Sequence, residues 1–408
     1  MSATVRFLYP VRGLCYNPDR AIAFNLHAKA NFLTRAVSHP AHFPVANYDD
    51  QDQRLARPYQ ILRDAIAARA FPAASVAVTH QGRLVALRSF GRFTYDSAAP
   101  EATTGTMFDL ASVSKVVATT AMAMILYQRG LLDLETPVIS IVGEFGGQDP
   151  RRDEITLRML LAHSSGLPAY EKLFLGAPQR RELLEAAFTT PLANEPGSHA
   201  NYSDIGFILL GVALERLADE TLEHFCQRDV FGPLGMTHST FHPAQELRST
   251  IPPTVDDRTF RHRIVQGEVQ DENASALGGV AGHAGVFSTA QDVATFAHAM
   301  LQGGQPIVGH ETVSLFTRRE PSPEGTSRAL GWDTPSAPSQ SGQYFSASSF
   351  GHLGYTGTSL WIDPERSLSV TLLTNRTWPD CANKAIQQVR PRFHDAVVEA
   401  LYPGVARS

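Results

Sequence analysis

Apolar residues recur every three to four positions over residues 59–69, which predicts an amphipathic helix, and the next apolar runs change period. Residues 74–79 and 84–90 are joined by His80-Gln81-Gly82-Arg83 and read as a β-hairpin. Residues 110–128 return to a helical pattern, with Val113, Val117, Ala121, Met124 and Ile125 on one stripe and Gly130 as the stop. Helices then dominate to about residue 235, at 181–188, 204–218 and 221–230. Another amphipathic helix, 291–301, precedes strands at 359–362 and 368–373 around the turn Asp363-Pro364-Glu365-Arg366, and a helix over 385–401 closes the chain. Strands near both ends and helices between them predict an α+β fold. Its antiparallel sheet comes from both chain ends, is flanked by helices, and is interrupted by a large, mainly helical insertion. The expected division is a sheet domain from 56–110 plus 290–408 and a helical domain from 111–289, with the active site in the cleft between them. Residues 1–55 hold no sustained period and read as an extension, and the Ser, Pro and Gly-rich stretch 322–348 is the expected mobile loop.

Composition narrows the function classes. With 408 residues, 43% hydrophobic and 18% charged, and with 26 Pro and 30 Gly spread along its length, the chain is neither a disulfide-stapled miniprotein nor disordered, collagen-like or coiled-coil. A formal charge of -5 gives no excess of cations for a phosphate backbone, so nucleic acid is not an expected partner. Cys15, Cys226 and Cys381 form no C-x-x-C pair and read as free thiols. The longest apolar run, 116–126, is too short to span a membrane, and the N-terminal residues lack the pattern of a signal peptide, so the expected location is cytoplasmic.

Three constellations could carry chemistry. Ser112 and Lys115 lie three apart in Ser112-Val113-Ser114-Lys115, so on a helix they share a face and can act as nucleophile and base. The same serine would also serve as a helix cap, but this is the only S-x-x-K in a chain with four lysines, at 29, 115, 172 and 384. Tyr202-Ser203-Asp204 opens a helix, where a phenol can relay a proton and Asp204 can equally be a plain cap. Phe350-Gly351-His352-Leu353-Gly354-Tyr355-Thr356-Gly357 leads into a strand. Its glycines let a ligand approach the backbone and an edge strand offers N–H groups to an oxyanion, though a histidine in such a turn can be structural.

Serine with lysine, tyrosine before a helix and a polar-Gly strand, in this chain order, resemble the serine β-lactamase and penicillin-binding-protein superfamily. The likeness is closest to its class C-like branch of esterases, D-peptidases and amidases and covers roughly residues 56 to 402. Residues 159–168 look like that branch's signature loop, and 278–290 and 357–364 resemble a subgroup that includes bacterial proteins proposed to act on cell-wall fragments. The resemblance implies a β-lactamase/transpeptidase-like fold, Ser112 as acylated nucleophile, Lys115 as its general-base partner and Tyr202 as proton relay. It implies an oxyanion hole from the N–H groups of Ser112 and Tyr355. Asp204, His352 and Gly354 then fall at substrate-binding positions, with His352 where the family usually has the lysine of K-[ST]-G and Asp204 where many relatives have Asn. No K-[ST]-G exists in this chain, which weighs against a true β-lactamase.

His283, after Asp271-Glu272-Asn273, is a further candidate for the cleft, whereas His163 reads as a hydrogen-bonded structural residue. His39 with His42 and His238 with His242 have spacings a metal could use, but no H-E-x-x-H accompanies them, so neither metal nor cofactor is expected. The reading is a serine hydrolase that cleaves an ester or amide through an acyl-enzyme, of the carboxylesterase, D-amino-acid peptidase or muramyl-peptide amidase type, acting on a small molecule or muropeptide. Its rivals are a silent module that binds peptidoglycan fragments and a true β-lactamase. Titration of His352 is expected to move activity between about pH 6 and 7. Oligomeric state has no signature in the sequence.

Overall fold

Residues from both ends of the chain meet in one five-stranded antiparallel sheet. The computed structural model describes residues 50–147 and 149–405. In chain order, helix α1 (Ala56–Ala67) leads to β1 (Ala73–His80) and β2 (Arg83–Gly91), and helices α2 (Ala121–Gln128), α3 (Asp204–Ala218) and α4 (Ala290–Leu301) follow. Strands β3 (Phe350–Leu353), β4 (Ser359–Asp363) and β5 (Leu368–Thr374) precede helix α5 (Ile386–Leu401). The order across the sheet is β2-β1-β5-β4-β3. At the β1–β5 seam Ala77 lies opposite Thr371 and Thr79 opposite Ser369, with the Thr79 and Ser369 hydroxyls 2.6 Å apart.

Alternation along these strands sorts side chains onto two covered faces. Val76, Val78, Val370 and Leu372 pack with Tyr59 and Leu62 of α1 and with Phe393 and Val397 of α5. Ala73, Ala77, Leu360 and Leu373 face the larger core, which includes Val293 and Phe296 of α4. Each buried large aliphatic contributes roughly 1.5–3 kcal/mol relative to exposure, so this double covering fixes the register. The turn at 363–366 is held by the buried Asp363 carboxylate, which accepts from the Arg366 N–H at 3.2 Å.

Several elements differ from the sequence reading. Residues 110–128 are not one helix: a 3-10 turn (Ala111–Val113) runs into a wide π turn (Lys115–Thr120) before α2. Ala111, which opens this path, sits at φ 47, its N–H donating to the Asp109 carboxylate at 2.8 Å. Residues 221–230 likewise widen after Leu222–Cys226, with Thr221 as the cap. The glycine-rich segment is itself part of the sheet, since Phe350–Leu353 forms edge strand β3, and Asp333 exchanges both backbone bonds with Gly351 along its outer side. Residues 50–55, expected to belong to the extension, are docked: buried Gln51 accepts from the Tyr59 hydroxyl at 2.9 Å and from the Leu87 N–H at 3.1 Å. The rest of that extension, including Cys15, His39 and His42, lies outside the described residues. No described helix is long and apolar enough to cross a membrane.

Candidate active site

Everything around Ser112 is tied down by side chains from elsewhere in the chain. Thr356 and Thr358 donate to the carbonyls of Asp109 and Leu110, each at 2.8 Å, which clamps the segment after β3 onto the strained turn. Gly354 permits that approach, because a Cβ there would collide with the Thr358 hydroxyl and come within 2.5 Å of the Leu110 carbonyl. Ser112 lies in the 3-10 turn and Lys115 opens the π turn, and the three-residue spacing still brings their side chains together. Lys115 Nζ lies 3.0 Å from Ser112 Oγ.

Lys115 is fully buried and finds three acceptors: Ser112 Oγ, the Asp204 carboxylate at 2.6 Å and the His283 carbonyl at 2.9 Å. The carbonyl reaches it because Gly282 packs against Gly211 of α3, where a Cβ on Gly282 would strike the Phe207 carbonyl. The Tyr202 hydroxyl donates to Ser112 Oγ from the other side at 2.7 Å. Ser203, not Asp204, caps α3, its hydroxyl accepting from the Gly206 N–H at 3.0 Å. Burial pushes the Lys115 pKa down while the Asp204 carboxylate pulls it back up. Burial and the same carboxylate push the Tyr202 phenol well above its ordinary value. Of the two groups touching the serine, the lysine is therefore the one moved toward a neutral base, and the phenol stays a proton donor.

The opposite wall is built on β3. His352 is buried, and its Nδ1 lies 2.7 Å from the Leu353 carbonyl, which can only accept, so Nδ1 carries the proton. Its Nε2 has no hydrogen-bond partner among the described residues. Burial, and then the nearby Lys115 and Arg328 cations, hold the His352 pKa well below its usual value. A cleft of about 780 Å³ runs past Ser112, Tyr202, Asp204, His283, His352 and Tyr355.

With this geometry the chain can be set beside known proteins. A D-alanyl-D-alanine carboxypeptidase, provisionally so named, from Escherichia coli K12 is 30% identical over 86% of this chain and 87% of its own length. The N-acetylmuramyl-L-alanine amidase of Bacillus subtilis 168 is 31% identical over 79% of this chain and 81% of its own. The solved structure of EstCE1, described as a hydrolase with promiscuous acyltransferase activity, superposes with a TM-score of 0.70 at 21% identity, covering 85% of this chain and 99% of that one. The model of the family described as Beta-lactamase matches residues 59–390. The chain belongs to the beta-lactamase family. It is accordingly a serine hydrolase, and the sheet with its flanking helices is the fold of that family.

Within this beta-lactamase-family frame the structure reassigns several residues. Asp204, expected to meet substrate, spends one carboxylate oxygen on Lys115, and its side chain is 16% exposed. Burial and the Lys115 and Arg328 charges lower the pKa of His352, which runs against the expected titration between about pH 6 and 7. His283 lines the cleft but is tied by Nε2 to Asp271 at 2.8 Å, and its contact with the machinery is its backbone carbonyl. Gly354 lies beneath the nucleophile turn. His163 is structural as expected: Nδ1 accepts from the Ser203 N–H at 3.0 Å and the ring stacks on Phe207. His238 and His242 do not converge on a metal, since His242 bonds Glu223 and the Gly278 carbonyl, and no described cluster could hold an ion. Sequence reasoning missed Asp109, Asp271 and Arg328. Asp109 stands three residues before Ser112 and bridges the turn to Gln270, whose N–H donates to it at 2.6 Å.

Proposed function

We propose that this enzyme cleaves an amide or ester of a cell-wall-derived peptide through an acyl-enzyme on Ser112. The observation that carries the reading is Ser112 Oγ held jointly by Lys115 at 3.0 Å and Tyr202 at 2.7 Å. Neutral Lys115 takes the Oγ proton as Oγ attacks the carbonyl carbon. The oxyanion sits on the N–H groups of Ser112 and Tyr355, and Tyr202 hands its proton to the departing nitrogen or oxygen. The phenolate recovers a proton from the Lys115 ammonium, and water then cleaves the acyl-enzyme by the same route. The relatives named as a carboxypeptidase and a muramyl amidase support a peptide or muropeptide substrate. A neutral His352 in place of a fixed cation argues against penicillin as the natural substrate.

The test is intact mass after a fluorophosphonate probe, wild type against Ser112→Ala, followed by assay on a D-alanyl-D-alanine peptide and a muramyl peptide. One adduct lost in the variant, with release of D-alanine or of the muramyl stem peptide, is the expected result. A folded wild-type protein that takes no adduct would favour the silent binding module.

A further inference from the structure

The backbone carbonyl that receives Lys115 belongs to a stretch with little stiffness of its own. Residues 278–285 hold four glycines, and Gly285, two beyond His283, sits at φ 125. Such a backbone needs outside ties to keep one carbonyl pointed at Nζ. The Thr119 hydroxyl donates to the Gly282 carbonyl at 2.6 Å, and the Val286 N–H donates to Ser114 Oγ at 3.0 Å. His283 itself is tied through its ring, whose Nε2 lies 2.8 Å from the Asp271 carboxylate. A carboxylate only accepts, so Nε2 carries the ring proton. Nδ1 is buried with no partner among the described residues, which gives a second proton no acceptor and leaves Asp271 its charge.

Asp271 is fixed in turn. Its carboxylate caps the short helix Glu272–Ala276 by accepting from the Ala274 N–H at 2.7 Å. Just before it, Arg261 donates to the carbonyls of Val269 and Gln270 at 2.6 and 2.7 Å, and the Gln270 N–H holds Asp109 at 2.6 Å. Adjacent residues therefore reach the nucleophile and its base separately: Gln270 the turn that carries Ser112, Asp271 the residue whose carbonyl holds Lys115.

The charges around the amine agree with this arrangement. Burial lowers the Lys115 pKa, the carboxylates of Asp204 and then Asp271 raise it, and Arg328 lowers it. The Tyr202 ring lies 4.9 Å from Nζ, and His163 and His352 stand within range of its charge. Besides Lys115 and His283, Asp271 is faced by Asp109, Glu272 and Tyr170.

We propose that Asp271 and His283 are positioning residues for Lys115: the carboxylate holds the imidazole, the imidazole fixes its own backbone carbonyl against Nζ, and a second negative charge stands behind the base. The inference rests on the acyl-enzyme reading, since it concerns the lysine that activates Ser112.

The rate at which a fluorophosphonate labels Ser112, followed by intact mass from about pH 5 to 9, reads the base without a choice of substrate. In wild type the rate should rise to a plateau as Lys115 loses its proton. Asp271→Asn keeps an acceptor for Nε2–H and loses the charge, so the rising limb should move down by about half a pH unit. His283→Ala frees the carbonyl, and the plateau should fall by on the order of ten- to a hundredfold. His283→Gln, whose amide can donate to Asp271, should recover most of that loss. Where urea unfolding shows that His283→Ala does not fold, Asp271→Ala removes the same tie from the other side and takes its place. A limb unmoved in Asp271→Asn, or a wild-type plateau in His283→Ala, overturns the proposal. So does a plateau in His283→Gln as low as in His283→Ala, because the lost tie would then not be the hydrogen bond to Asp271. Wild-type labelling with variants that behave like it sinks this inference alone, whereas a folded wild type that takes no label at any pH sinks the acyl-enzyme reading and this one with it.

Discussion

Lys115 and Arg328 are basic side chains of one cleft, and their surroundings are opposite. Lys115 is fully buried with three acceptors around Nζ, one of them a carboxylate. Arg328 keeps partial access to the cleft, and its guanidinium has no hydrogen-bond acceptor among the described residues, only a loose ion pair with Asp333 at 3.6 Å. The difference separates two kinds of polar group. A satisfied one is an internal part, set before substrate arrives, whereas an unsatisfied one in a cavity keeps its donors free for what enters it.

The strongest test of the first half is Lys115→Met. Activity should fall by at least about a thousandfold, as for loss of a base that acts as a unit with its nucleophile. Stability should fall too, by roughly 3 kcal/mol in urea unfolding, because the Asp204 carboxylate loses its counter-charge. Adding Asp204→Asn to that variant should recover much of the stability and none of the activity. If the single variant kept full stability, the Lys115–Asp204 pair at 2.6 Å would not be the internal element described above.

Asp204→Asn alone sharpens the comparison from within. The carboxylate raises the Lys115 pKa against a burial penalty that lowers it. Removing its charge therefore lowers that pKa, and the neutral lysine becomes available at lower pH. The ascending limb of kcat/KM should move down by about one pH unit or more. A limb that stays in place would mean that another group supplies the base.

Arg328→Gln should differ from Lys115→Met in stability as sharply as the two sites differ in partners. Its side chain loses no hydrogen bond, only a contact 5.4 Å from the Tyr202 ring and a loose ion pair with Asp333 at 3.6 Å. The expected change in unfolding free energy is within about 1 kcal/mol. A loss as large as that of Lys115→Met would make Arg328 a structural support.

What could be read beforehand follows the same division. The hairpin turn at 363–366, the strand at 368–373 and the helix at 204–218 are set by residues near in sequence, and they were legible. The Ser112 and Lys115 pairing was legible because three-residue spacing brings side chains together in either an α or a 3-10 turn. The left-handed turn that opens this helix was not, because Ala111 is turned by the Asp109 carboxylate, which is itself fixed from Gln270. Arg328 was invisible for a related reason. It sits in a stretch without period, and only the long-range burial of Ala329, Leu330 and Trp332 shows that this stretch is pinned into the core.

The smallest expected effect concerns the one group whose charge was misjudged. Burial first, then the charges of Lys115, Arg328 and Arg390, disfavour the His352 imidazolium, with only the Leu353 carbonyl acting the other way. Its folded pKa therefore lies below the usual value, and between about pH 6 and 7 its protonation does not change. Asp109 titrates there instead, its carboxyl pushed up to about 6 by burial. As pH falls through that value the carboxylate gains a proton and weakens as acceptor for the Ala111 and Gln270 N–H groups, loosening the turn that carries Ser112. A shallow inflection near pH 6 in kcat/KM should thus persist in His352→Gln and vanish in Asp109→Asn. In nitrogen-15 spectra of the wild type the His352 ring signals should stay constant from about pH 8 to 6. Ring signals that move with the inflection would return the titrating role to His352.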